Sequence, residues 1–189
     1  MKKRVQKAKR TARQVVLGEP LDLGGINANG ADICFTAGPE ELSQVLEIIG
    51  IIDLSHLEGE VRIKPWHKTG FMLVGELRAS VVQECVVSLE PVPEEVVEPF
   101  ERTFIPEAEA MQEEPDEHVE VDFILEAEDP PEPLIGHTVN LLAIIAEHLA
   151  LGLNPWPRKD GAEIDPKWQP GEDGEDTPNP FDVLKHLKH

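Results

Sequence analysis

Residues 71–99 read FMLVGELRASVVQECVVSLEPVPEEVVEP, and the first half of this stretch alternates. Phe71, Leu73, Gly75, Leu77, Ala79 and Val81 fall on one side of an extended chain, and the more polar Glu76, Arg78 and Ser80 fall on the other. That period of two is the mark of a half-buried strand, expected over residues 71–87. It runs into an unusual cysteine-containing turn, Cys85-Val-Val-Ser-Leu-Glu-Pro-Val92. Upstream, residues 57–64 alternate in the same way, with Leu57, Gly59, Val61 and Ile63 opposite Glu58, Glu60, Arg62 and Lys64, so residues 65–70 connect a hairpin. Downstream, Val96, Glu98, Phe100, Arg102 and Phe104 interleave with Glu95, Val97, Pro99, Glu101 and Thr103, which predicts a third strand over residues 94–105. Pro99 has no amide hydrogen for a ladder and favours an edge position there.

Two helices and one further strand complete the expected body. A short strand is expected over residues 31–36, followed by Gly38-Pro39-Glu40-Glu41, where proline suits a first helical turn and the acids suit the positive end of the helix dipole. Leu42, Val45, Leu46, Ile49 and Ile52 then recur at three- and four-residue steps, one buried stripe. Asn140 is positioned to cap a second helix running to about residue 151, with Leu141, Leu142, Ile145, Leu149 and Gly152 on its packed side and Ile144 and His148 flanking them. Asn154-Pro155-Trp156-Pro157 stops it. The fold class is therefore α+β: a small antiparallel sheet packed against two main helices.

Outside that body the composition changes. Residues 1–30 read as a basic arm and irregular connector, 31–157 as one domain, and 158–189 as an acidic Pro/Gly-rich tail with a short terminal helix at 181–187. Residues 106–132 hold four prolines and a dense acidic run without a basic residue, which predicts a mobile acidic loop with a short extended piece near 119–125. The arm carries Lys2, Lys3, Arg4, Lys7, Lys9, Arg10 and Arg13 and no acid through residue 18, whereas all 37 acids follow it. Such asymmetry suits an arm that makes salt-sensitive phosphate contacts on a body that repels polyanions. The alternative is a frayed, solubilising terminus.

Chemistry is sparse. Cys34 and Cys85 stand at no metal or redox spacing, the seven histidines are scattered, and neither CxxC nor HxxxH occurs, so no metal and no cofactor are expected. Two cysteines without disulfide spacing fit a reducing compartment, and the cytoplasm is the expected location. The apolar run 141–153 is too short to span a bilayer and Gly18-Glu19-Pro20 cuts off any secretory core after the basic start, so no membrane partner is expected. Cys85 reads as a small core residue ahead of a nucleophile, because free cysteine is among the most buried side chains. Trp156 with Arg158 and Lys159 is the best contact candidate: an exposed indole stacks on a base while the cations meet phosphate. Equally open is an indole that pins the chain after the second helix against the core.

The segments QECVVSLEPV (residues 83–92) and VNLLAIIAEHLALGLNPWPRK (residues 139–159), in that order around an acidic loop, resemble the YceD family, the large ribosomal RNA subunit accumulation proteins. Many members carry a CxxCLEP-type turn. Here Cys85 falls on the first cysteine and Ser88 on the second, while Leu89, Glu90 and Pro91 match the rest. Further cysteines of those members would follow the second helix, where this chain has Pro157-Arg158-Lys159, so the four-cysteine set is incomplete and the chain looks like the cysteine-poor branch found in alphaproteobacteria. The resemblance implies a non-catalytic cytoplasmic factor for accumulation or maturation of 23S ribosomal RNA and large-subunit assembly. The partners it implies are ribosomal RNA or its precursor, and a basic ribosomal protein or assembly factor that an acidic body would attract. A metal-dependent RNA-processing hydrolase built on the acidic loop, and a protein adaptor that never meets RNA, are the rival readings.

Overall fold

The computed structural model describes residues 12–110 and 130–164. Three long strands dominate it: β4 (Asp53–Trp66), β5 (Gly70–Glu84) and β6 (Pro91–Pro106), joined as consecutive antiparallel hairpins. The expected alternation is realised. Leu57, Val61, Ile63, Leu73, Leu77, Ala79, Val81, Val96, Phe100 and Phe104 all point into one buried core. Strand β3 (Ala31–Thr36) pairs antiparallel with β4, adding Ile33 and Phe35 to the same face.

The sheet is larger than the small antiparallel one expected from sequence, and it is mixed. Strand β1 (Arg13–Gln14) lies parallel to β3, and β7 (Glu132–Leu134) lies parallel to β6, giving six strands in the order β1-β3-β4-β5-β6-β7. Strand β2 (Leu21–Asp22) pairs separately with β8 (Thr138–Val139). Two of these short strands fall in segments read as irregular, because two or three paired residues leave no periodicity of their own. The connector reads as irregular in sequence, yet Leu17 and Leu23 in it are almost fully buried in the core. Arg13, counted with the basic arm in sequence, lies in β1. Pro99 pairs with Glu76 on one side only, since β7 reaches β6 only at Phe104–Pro106, which satisfies its edge preference.

Two main helices cover the core face, and a third of four residues, α2 (Glu107–Ala110), opens the acidic segment. Helix α1 (Pro39–Ile49) ends at Gly50, which takes the left-handed conformation (φ 69°) that a residue with a Cβ adopts only at a cost. Ile52 therefore lies beyond the helix and is exposed. Glu41 bridges the start of α1 to the connector: its two carboxylate oxygens accept from the Gly38 and Gly18 amides at 2.6 and 2.8 Å. Helix α3 (Leu141–Gly152) begins as expected, with the Asn140 side chain accepting from the Ala143 amide at 3.1 Å. Leu141, Leu142, Ile144, Ile145, Ala146 and Leu149 are all buried, because this helix packs against α1 on one side and β5 and β6 on the other. Arg102 of β6 fastens two neighbours, holding Glu132 of β7 at 3.0 Å and also Glu147 of α3. Burial, with the Arg102 charge close by, pushes the His148 imidazole below its ordinary pKa, and its ring stacks on Phe100 at 5.1 Å.

Two glycines decide how the sheet fills. Gly59 of β4 lies opposite Phe35, and Gly75 of β5 lies opposite Phe100. A Cβ at either would come within 2.6 Å of the ring Cζ, so the aromatic rings occupy the space that side chains at 59 and 75 would need. Among the described residues no helix covers the opposite face of the sheet, which is lined mainly by polar and charged side chains such as Asp32, Glu58, Glu60, Arg62, Glu76 and Arg78. The expected extended piece at 119–125, the terminal helix at 181–187 and most of the arm and tail lie outside the described residues.

Candidate partner interface at the Cys85 turn

The β5–β6 hairpin closes through a tight turn. The Cys85 amide donates to the Glu90 carbonyl at 2.9 Å, the Leu89 amide donates to the Cys85 carbonyl at 3.0 Å, and Leu89 sits at φ 60°. This is an unfavourable conformation for a branched side chain, held by the ladder that resumes at Glu84 and Pro91. The turn folds back on the Cys85 sulfur, which accepts from the Ser88 amide at 3.3 Å.

The segment after α3 lies across this turn. Asn154 starts it with a side-chain turn, its Oδ1 accepting from the Trp156 amide at 3.0 Å, and its carbonyl accepts from Gln83 Nε2 at 3.0 Å. The Val86 amide donates to the Pro157 carbonyl at 2.9 Å. The Lys159 amide then donates to the Cys85 sulfur at 3.4 Å, and Lys159 Nζ pairs with Glu90 at 2.7 Å. Thus Cys85, Glu90 and Lys159, three residues named from sequence, meet in one place across about seventy positions of chain. Cys85 has no exposed surface, as expected of a core cysteine, yet its sulfur is ringed by donors rather than by hydrocarbon.

Those donors govern its chemistry. The Lys159 amide, then the Ser88 hydroxyl and amide, favour the thiolate and bring the Cys85 pKa from 9.0 to about 6, against a smaller opposing effect of burial. Lys159 and the Ser88 hydroxyl likewise hold the Glu90 carboxyl below its ordinary value. Because the folded-state thiol pKa is depressed, its contribution to stability is complete above the unfolded value and is lost as pH falls through about 6. Urea midpoints measured between pH 6 and 9 should rise with pH in the parent more than in Cys85→Ala. Equal slopes would show that the thiolate is not held this way.

The remaining contact candidates divide. Trp156 is 75% exposed although its backbone is fixed on both sides, so it does not pin the chain to the core. Arg158 is exposed, and no ion pair to it is recorded among the described residues. Lys159, by contrast, is engaged by Glu90. Lys2, Lys3, Arg4, Lys7, Lys9 and Arg10 lie outside the described residues. Sequence reading missed the groove beside Trp156, about 700 Å³ and bordered by Ile52, Val86, Leu151 and Pro155. Its walls come from three separate segments, so no local pattern announces it. Among the described residues no group of three His, Cys, Asp or Glu is placed to hold a metal ion, and no helix is long and apolar enough to cross a membrane.

Residues 73–188 match the family model described as "Large ribosomal RNA subunit accumulation protein YceD". The matched stretch begins in β5 and takes in both segments that carried the resemblance, the Cys85 turn and α3 with the segment laid across the turn. No curated protein and no solved structure matches the chain.

Proposed function

This chain belongs to the YceD family of large ribosomal RNA subunit accumulation proteins, and from that membership we propose that it acts as a non-catalytic binding factor in maturation of 23S ribosomal RNA and large-subunit assembly. The family name ties it to accumulation of large-subunit ribosomal RNA. The observation that supports direct RNA contact is Trp156, an indole 75% exposed on a backbone anchored at Asn154, Pro157 and Lys159. With its backbone already ordered, the indole stacks on an unpaired base at a reduced ordering cost, and Arg158 two residues on supplies a cation for the adjoining phosphate. The basic arm adds sequence-independent affinity, while the acidic body suits a basic ribosomal protein.

Trp156→Ala should weaken binding of a single-stranded 23S ribosomal RNA fragment by about 5- to 150-fold, the range of one base stack of 1–3 kcal/mol. Trp156→Phe should restore most of it. Unchanged affinity in the alanine variant removes RNA stacking from this surface. The adaptor reading is favoured by the apolar groove next to Trp156, and it gains if Trp156→Ala spares RNA but abolishes copurification of a protein partner. Cleavage of precursor RNA by the purified protein with magnesium would instead establish the hydrolase.

A further inference from the structure

The helix-free face of the sheet is concave over β3, β4 and β5, a groove of about 950 Å³. Its charges are unbalanced. Arg62 is held by Asp32 at 2.7 Å and Arg78 by Glu76 at 2.6 Å, so both cations are already engaged. Among the described residues Glu58 pairs only with His56, at 3.4 Å, and Glu60 has neither a hydrogen bond nor an ion pair. In the β4–β5 register Glu60 stands directly across from Glu76, a like-charge pair that costs stability in a sheet. Glu101 of β6 extends the negative face beyond Val74. The chain enters the described structure at Ala12, and Ala12 lines this same groove. Just ahead of it, in residues 1–11, lie Lys2, Lys3, Arg4, Lys7, Lys9 and Arg10.

We propose that this acidic groove is the docking site of the chain's own basic arm, residues 2–10, and that ribosomal RNA must displace the arm to be bound. The regulatory half of this rests on the proposed role of the arm in RNA binding; the docking itself does not. Two observations carry it: the sign of the groove, and the point at which the arm departs. Nine residues span up to about 30 Å when extended, whereas adjacent strands lie about 4.8 Å apart, so the arm reaches across three strands with length to spare. Tethering at the rim also places the arm at an effective concentration on the order of mM, enough to populate contacts that are weak one by one. Docked, the arm's cations sit between Glu60 and Glu76 and offset their repulsion. Phosphates compete for the same cations, so a polyanion with too few phosphates within reach fails to open the lock.

The test uses the full chain. A water-soluble carbodiimide joins lysine amines to carboxylates in contact, and Lys2, Lys3, Lys7 or Lys9 should link within one chain to Glu58, Glu60, Glu76 or Glu101 in preference to the other acids, less so at high salt. Links spread evenly over the acids, or formed mainly between chains, overturn the proposal, the latter in favour of a second copy. The triple variant Glu58→Gln, Glu60→Gln, Glu101→Gln should bind a ribosomal RNA fragment about tenfold more tightly at low salt, with no gain in the same variant lacking residues 2–10. A gain of equal size without the arm shows mere loss of bulk repulsion and also overturns it. If the intrachain links form but RNA fails to reduce them, docking stands and the arm's proposed role in RNA binding falls.

Discussion

Gly75→Ala should lower the stability of the folded chain by about 2 to 3 kcal/mol, the upper range for forcing a methyl into a filled core. The new Cβ would lie 2.6 Å from Phe100 Cζ and 2.7 Å from the Glu60 carbonyl oxygen, and the second neighbour is backbone in a paired strand that has no room to withdraw. Glycine is needed here for space, not for an unusual dihedral. The measurement is the urea midpoint at constant slope, since a changed slope would signal an altered unfolded state. Phe100→Leu in the same chain frees the ring contact but not the carbonyl contact, so it should recover part of the loss. A midpoint within experimental error of the parent would show that the strands shift to admit the methyl.

Removing residues 2–10 should flatten the salt dependence of ribosomal RNA binding. Six cations leave, each coupled to about 0.7 of a released counterion on a single strand, so the slope of log affinity against log salt should fall by about 4. Between 50 and 200 mM salt that amounts to a difference of about 250-fold in how much affinity is lost. Arg13 is kept, because it belongs to β1 and its removal would disturb the pairing with Ile33. An unchanged slope would leave the arm no part in phosphate contact and would confine RNA recognition to the folded body.

Much of the architecture is legible because its signals are local. The alternation of residues 57–64 and 71–81 placed Leu57, Val61, Ile63, Leu73, Leu77, Ala79 and Val81 on the core face, and Asn140 capped α3 where its chemistry said it would. Buried Cys85 followed from residue type, whereas the exposure of Trp156 decided between two readings that sequence left open. Other features carry no local mark. Leu17 and Leu23 sit among glycines and a proline, and only the core they complete shows that they belong to it. Gly59 and Gly75 fit the apolar side of their strands as blanks, and their reason becomes visible only when the register sets Phe35 and Phe100 against them.

The chain's own order of residues determined the three long strands, the two principal helices and the family turn Cys85 to Pro91, since each is announced by a pattern of residue types within a short stretch. Tertiary structure alone decided the parallel flanking strands, the concavity of the acidic face and the meeting of Cys85 with Lys159. These depend on which distant segments lie side by side, and that choice is made by the total burial of the whole chain rather than by the periodicity of any part of it.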